Sequence, residues 1–299
     1  FPGQGSQYVG MAGALSDKRS AAAEVLARAD ATLGFSLSAL MRDGPEDALT
    51  ATKNAQPALL THSVAALSVL GDRGGTPAFA AGHSLGEFSA HVAAGTLSFE
   101  DALRAVRLRG ELMFEAGQAR PGSMAAFLGL DHEEVRRVCG RVTAGICVPA
   151  NFNSASQVVV SGDVAGIEEA MSLAKEAGAK RSVQLNVSGA FHSPLMEPAA
   201  DGLRKFLDGI DFADPKIPVV SNATAQPVTT GSEARELLVR QLTSPVRWTE
   251  SIALMTSTGA DRFLELGAGK VLCTLNRRNA RGVPSTPLGE PDDFNALEG

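Results

Sequence analysis

Gly82-His83-Ser84-Leu85-Gly86 is the stretch of this sequence with the most evident chemistry. A G-x-S-x-G string between a strand and a helix makes a nucleophile elbow. Small flanking residues permit a sharp turn, the serine hydroxyl stands clear of the backbone, and the helix start offers amides to an oxyanion. The context fits. Residues 77–81 form a short apolar run that reads as a buried strand, and residues 87–94 read as a helix ended by Gly95. The plainer alternative is a glycine-bounded turn whose serine only caps a helix.

A serine nucleophile needs a base, and the chain has five histidines. His83 adjoins the serine and should point away across the turn. His62 and His91 fall within predicted helices as packing residues, and His132 opens a helix beside Glu133 and Glu134. His192 differs, because Ser188-Gly189-Ala190-Phe191-His192-Ser193 is a non-helical segment directly after a predicted strand. We therefore expect His192 to serve Ser84. No acid before it stands out as a third member; a backbone carbonyl could orient its Nδ1–H instead, which suffices to favour one tautomer.

Arg104, Arg107 and Arg109 lie on a helix predicted to start near Phe99. Arg104 and Arg107 fall elsewhere on the wheel from Arg109, so one of the three arginines can face inward alone. An inward arginine calls for an anion, and a substrate carboxylate fits its planar fork. A solvated helix with three surface arginines is the alternative. The loop Phe1-Pro2-Gly3-Gln4-Gly5-Ser6-Gln7 can turn backbone amides toward an anion, but it lacks the Gly-Lys-Ser/Thr of a P-loop.

Alternating strand and helix patterns favour an α/β architecture with a largely parallel sheet. The middle breaks that rhythm. Residues 124–130 read as a strand, 131–139 as a helix, 146–152 and 158–161 as two strands with an Asn-rich turn between them. A helix at 164–177 and a strand at 181–187 follow. This β-α-β-β-α-β order is the split ferredoxin-like unit. We expect a small domain at residues 122–187 inserted into a larger one formed by 1–121 and 188–299, with a ligand cleft between them. Further strands are read at 218–221 and 263–266, and residues 289–299 read as a loose acidic end.

Composition sets outer bounds. The chain has 299 residues, 44% hydrophobic and 20% charged, with a formal charge of −6. That balance argues against a nucleic-acid partner, which needs concentrated basic surface. Cys139, Cys147 and Cys273 form no C-x-x-C pair, so we expect free thiols, no metal site and a cytoplasmic setting. No apolar run is long enough to cross a bilayer, and no signal peptide is read. Phe1 in place of Met is read as a start inside a longer reading frame.

Eight blocks in order carry a resemblance. They are FPGQGSQ from Phe1, AQPALL from Ala55, GHSLGE from Gly82, RLRG from Arg107, NFNS from Asn151, GAFHS from Gly189, SPVRW from Ser244 and ELGAGKVL from Glu265. Together they resemble malonyl-CoA:acyl carrier protein transacylases and the acyltransferase domains of fatty acid and polyketide synthases, from Phe1 to about Arg278. The resemblance implies a hydrolase-like α/β core with a ferredoxin-like insertion. It implies Ser84 as the acylated nucleophile, His192 as its base, and Arg109 as the partner of the malonyl carboxylate. It further implies an oxyanion hole from the amides of Gln4 and Leu85, a polar contact from Gln56, and an orienting carbonyl within SPVRW, near Arg247. Phe191, the residue before the histidine, resembles the bulky form that selects malonyl over methylmalonyl. Two departures are visible: the apolar strand that usually leads into FPGQGSQ is missing, and Ala268 stands where the family commonly has proline.

The implied activity is ping-pong malonyl transfer from malonyl-CoA to an acyl carrier protein, with no cofactor beyond the substrate. A different acyl-CoA, a serine thioesterase, or a non-catalytic carrier-docking domain are the rivals. An acidic carrier protein needs a local basic patch, for which Lys270, Arg277 and Arg278 are candidates.

Overall fold

The computed structural model describes residues 1–297. It opens with the loop Phe1–Ala12 and four short helices, α1 (Gly13–Lys18), α2 (Ser20–Leu33), α3 (Leu37–Asp43) and α4 (Glu46–Thr50). The long α5 (Thr52–Leu70) is buried along most of its length, polar Gln56, Thr61, His62 and Ser63 included. It leads to β1 (Ala80–Ala81), α6 (Gly86–Ala93) and α7 (Phe99–Ala119). α5 packs against α2 and α7 and forms the middle of the largest apolar core. Gly110 permits the α5–α7 approach: a Cβ there would lie 2.7 Å from the Lys53 Cα.

Next come β2 (Gly122–Leu128), α8 (His132–Arg141), β3 (Cys147–Ser154), β4 (Gln157–Asp163), α9 (Val164–Glu176) and β5 (Arg181–Gln184). The four strands pair antiparallel in the order β3-β4-β2-β5. Local signals explain much of this unit. Asp131 and Glu134 form a reciprocal capping box at the start of α8. β2 is buried from Ser123 to Phe127 because both faces are covered. Ala125 and Phe127 join Val135, Val138, Val158, Val160 and Ile167 on one side. Met124, Ala126 and Val159 join the main core on the other. Asn153, placed by the sequence reading in the turn, belongs to β3. β5 stops at Gln184, short of the expected 187.

The chain then forms α10 (Glu197–Leu207), β6 (Val219–Val220), β7 (Pro227–Val228), α11 (Gly231–Arg240), α12 (Trp248–Ser257), β8 (Phe263–Leu266), α13 (Val271–Asn279) and β9 (Ser285–Leu288). β1 pairs parallel with β6, β6 antiparallel with β7, and β8 parallel with β9. The architecture is mixed α/β. The β1–β6 pair is only two residues long, far shorter than the apolar runs around it suggested. Both of its strands nevertheless end at the same edge, so the turn after β1 and the residues after β6 meet there, as ligand sites in parallel sheets do.

The C-terminal segment departs from its reading as a loose end. Phe294 is fully buried, and the Asp293 carboxylate accepts the main-chain N–H groups of Gly289 and Glu290 at 2.9 and 2.8 Å. Residues 298–299 of that reading lie outside the described residues. Among the described residues no helix is long and apolar enough to span a membrane.

Candidate active site

Ser84 sits at the turn between β1 and α6 with φ of 51°, a left-handed conformation that costs a non-glycine residue about 1–2 kcal/mol. The turn closes tightly. A Cβ on Gly82 would lie 1.8 Å from the carbonyl of Gly86, so only glycine fits at position 82. The N-terminal loop lies on this turn, its Phe1 carbonyl accepting the His83 N–H at 3.0 Å. The elbow thereby has Gln4 and its neighbours along one side. The Gln4 side chain donates to Thr52 Oγ1 at 3.2 Å. Leu85, buried, heads α6.

His192, 108 residues from the serine, reaches it directly: Ser84 Oγ and His192 Nε2 are 2.8 Å apart. His192 also has positive φ, 57°, so both members of the pair are held in a sparsely populated backbone conformation. Its Nδ1 is 2.9 Å from the main-chain carbonyl of Gln241. A carbonyl only accepts, so Nδ1 carries the proton and Nε2 is free to take one from the serine.

The orienting carbonyl corrects the expectation at Arg247. That residue's carbonyl instead accepts the N–H and Oγ–H of Ser251 inside α12, both at 3.0 Å. Its guanidinium pairs with Glu250 and the Thr224 carbonyl. The Arg247 carbonyl is taken up by two donors of Ser251, whereas the Gln241 carbonyl, in the short 3-10 turn after α11, receives only a long 3.4 Å contact from the Ser244 N–H besides the imidazole. Ser244, the first residue of SPVRW, adds a lesser backbone interaction with the imidazole.

Arg109 is the inward arginine of its helix. Arg104 pairs with Asp101, and Arg107 with Glu111, whereas Arg109 is 1% exposed. Its Nη1 donates to Gln56 Oε1 at 2.7 Å, and Nη2 donates to Gln241 Oε1 at 2.9 Å and to Ser84 Oγ at 3.2 Å. Its buried Nε has no partner among the described residues. Burial pulls the guanidinium down to about 10, opposed by the nearby charge of Glu87, so it stays cationic at neutral pH. Gln56 Nε2 faces Met113 Sδ, and Phe191 is buried one residue before His192.

Burial, and then the positive charge of Arg109, depress the His192 imidazole to about 3. The free imidazole is therefore neutral at pH 7. An anion pairing with Arg109 would cancel the second cause and raise the basicity of His192.

Three further residues complete the site, and the sequence reading missed them. Asn222, two residues past the end of β6, accepts the Ser84 N–H on Oδ1 at 2.6 Å and donates from Nδ2 to the Gly82 carbonyl at 2.7 Å. Gln241 Nε2 donates to the Ser84 carbonyl at 3.0 Å and to Glu87 Oε2 at 2.6 Å. Glu87, fully buried, also accepts the Asn222 N–H at 3.1 Å, and burial pushes it up to about 7. Glu87 was visible as an acid one residue past the elbow. Asn222 followed a predicted strand, but Gln241 had no local signal. His83 points away from the reaction side, its Nε2 2.8 Å from Asn153 Oδ1. Among the described residues there is no group of three or more His, Cys, Asp or Glu side chains able to hold a metal ion.

Comparison with known proteins adds a second line. The chain matches the acyl transferase domain family over residues 1–285. It is 47% identical to the malonyl CoA-acyl carrier protein transacylase of Bacillus subtilis, covering 98% of this chain and 93% of that one. The Escherichia coli K12 protein of the same name is 45% identical, over 97% and 95%. Among solved structures, an acyl carrier protein S-malonyltransferase from Vibrio cholerae superposes with a TM-score of 0.96 at 42% identity, over 99% and 98% of the two chains. A malonyl-transacylase solved with its holo type II polyketide synthase carrier protein gives 0.95 at 43%, over 100% and 97%. A strained serine, an imidazole in hydrogen-bond contact with it and a buried arginine thus coincide with full-length similarity, and the chain belongs to the acyl transferase domain family.

Proposed function

We propose that this protein is a malonyl-CoA:acyl carrier protein transacylase, working through a malonyl-Ser84 ester. The observation that carries the reading is the meeting of three groups at one oxygen: Ser84 Oγ lies 2.8 Å from His192 Nε2 and 3.2 Å from Arg109 Nη2. Such a site presents a nucleophile, its base and a cation for the substrate's free carboxylate together.

In the first half-reaction Ser84 Oγ attacks the thioester carbonyl while its proton passes to His192 Nε2. The C–S bond breaks, and the coenzyme A thiolate takes that proton. In the second, the carrier's phosphopantetheine thiol gives its proton to His192 and attacks the ester carbonyl. The C–O bond breaks and Ser84 recovers the proton. The amides of Gln4 and Leu85 hold the oxyanion in each half-reaction. Arg109 binds the malonyl carboxylate, with Gln56 beside it, and the Phe191 ring narrows the space at the malonyl α-carbon. One methyl there is worth about 1–3 kcal/mol of discrimination. The carboxylate also offsets the Arg109 charge that depresses His192, so a malonyl substrate makes its own base stronger. Serine and imidazole carry both half-reactions with no cofactor.

Residues 1–121 with 188–299 are a hydrolase-like domain, and 122–187 are a ferredoxin-like insertion; the antiparallel order β3-β4-β2-β5 supports the latter. Exposed Lys270, Arg277 and Arg278 on and before α13 supply a basic face for an acidic carrier protein. Cys139 and Cys147, unpaired with sulfurs 3.6 Å apart, suit a reducing cytoplasm.

Intact mass spectrometry after mixing with malonyl-CoA tests the proposal. The protein should gain one malonyl group and Ser84→Ala none; a wild type that stays unmodified refutes it. Release of that group to water faster than to carrier protein would mark a thioesterase instead.

A further inference from the structure

We propose that Glu87 is a positioning residue: its carboxylate fixes the Gln241 amide in the one orientation that holds the Arg109 guanidinium for the substrate's acid group. Glu87 touches no reacting atom. It sits in the first turn of the elbow helix, fully buried, with Oε2 accepting from Gln241 Nε2 at 2.6 Å and from the Asn222 N–H at 3.1 Å.

Donors and acceptors around Gln241 decide its orientation. A glutamine amide has a donating and an accepting end that nearly superimpose when it flips. Gln241 meets two acceptors on one side, Glu87 Oε2, which already takes the Asn222 N–H, and the Ser84 carbonyl at 3.0 Å. On the other it meets an obligate donor, Arg109 Nη2, at 2.9 Å. Turning the amide over would set oxygen against the carboxylate and NH2 against the guanidinium. The Ser84 carbonyl belongs to the strained turn and faces one hydrogen of that NH2; Glu87 Oε2, held as an acceptor by the Asn222 N–H, takes the other and makes the preference decisive. The Gln241 backbone carbonyl meanwhile receives His192 Nδ1 at 2.9 Å. One residue thereby touches the base through its main chain and the guanidinium through its side chain. Glu87 also anchors Asn222, whose side chain ties Ser84 N to the Gly82 carbonyl across the turn.

This inference rests on Arg109 as the malonyl carboxylate's partner, so the experiment carries a control for that reading. Loading rates with malonyl-CoA and acetyl-CoA are measured by quenched intact mass spectrometry on variants whose fold is checked by circular dichroism. Wild type should prefer malonyl and Arg109→Ala should lose the preference; failure of this pair refutes the Arg109 reading itself. With the control satisfied, Glu87→Met should lower the malonyl-over-acetyl ratio by about tenfold or more through a raised KM for malonyl-CoA, the size expected for one charged hydrogen bond. Glu87→Gln keeps an acceptor of the same shape and should restore most of the ratio. Gln241→Met retains the main-chain carbonyl on His192 and should reproduce the loss, and the Glu87→Met/Gln241→Met double variant should lose no more than either alone. A Glu87→Met ratio that falls by less than about tenfold, a Gln variant as impaired as Met, or additive losses in the double variant would each overturn the assignment. Should Glu87→Met not fold, Gln241→Met decides alone: an unchanged ratio there ends the proposal.

Discussion

The antiparallel unit of residues 122–187 and the elbow region around Ser84 are built on opposite terms. In the first, nearly every feature has a local cause. α8 begins with a capping box, β2 and β4 alternate between two apolar clusters, and the four strands pair over up to seven consecutive registers. In the second, regular structure is minimal. The strand before Ser84 has two residues, two non-glycine residues adopt left-handed backbone, and buried polar groups are crowded together. Glu87 Oε1, Arg109 Nε and both ring nitrogens of His91 have no partner among the described residues. Such groups cost stability unless water or a ligand satisfies them. Stability is concentrated where side chains repeat, and reactivity where they do not. Proteins commonly carry strain at a working site and offset it elsewhere.

Substitutions can break that contrast. The largest expected effect is at the base: His192→Ala should slow malonyl loading by about four orders of magnitude or more, roughly 5 kcal/mol of barrier. Its urea midpoint should stay close to wild type, and a collapse of the fold would show the site to be a stability element as well. Phe127→Ala probes the other region. Deleting a fully buried ring should cost about 3–5 kcal/mol in urea unfolding, while each molecule that remains folded still takes up one malonyl group. Acylation failing in folded Phe127→Ala molecules would show that the two regions are coupled.

Smaller effects sharpen the comparison. His91 lies in the helix behind Ser84, and burial holds it down at about 3 against 6.5 when unfolded. Between those values the unfolded chain binds the extra proton, so folding stability falls as pH drops from about 6.5. His91→Leu should therefore gain about 2 kcal/mol more at pH 5 than at pH 7 in paired urea titrations. An equal effect at both pH values would mean that His91 keeps an ordinary proton affinity in the fold. Glu87 works with the opposite sign: raised to about 7 from 4.5, it takes up a proton on folding between those values and costs stability above them. The smallest effect is at the capping box, where Asp131→Ala should cost about 1 kcal/mol and leave loading rates unchanged.

The same division explains what could be read in advance. The β-α-β-β-α-β order was legible from period-two and helical patterns because both faces of that sheet are covered and its caps are local. Helical spacing separated Arg109 from Arg104 and Arg107 without saying which faces inward, and the elbow was legible from glycines that act within a single turn. The strand at 77–81 was overestimated, since an apolar run does not say how many residues find a pairing partner. Residues 289–299 look loose because their composition is polar, yet Phe294 anchors the described part of that segment in the core.

Sequence by itself determined the kinds of groups available and the short-range geometry that presents them: a serine on a glycine-bounded turn, a histidine outside regular structure, an arginine on one face of a helix. Tertiary structure alone decided which carbonyl orients the imidazole, and that the amide of the same residue spans Glu87 and Arg109. Gln241 lies 157 residues from Ser84, 49 from His192 and 132 from Arg109. Patterns of hydrophobicity and turn chemistry act over a few residues. A hydrogen bond between distant segments depends on where the whole chain sets them, and a difference of one turn passes the role from one carbonyl to another.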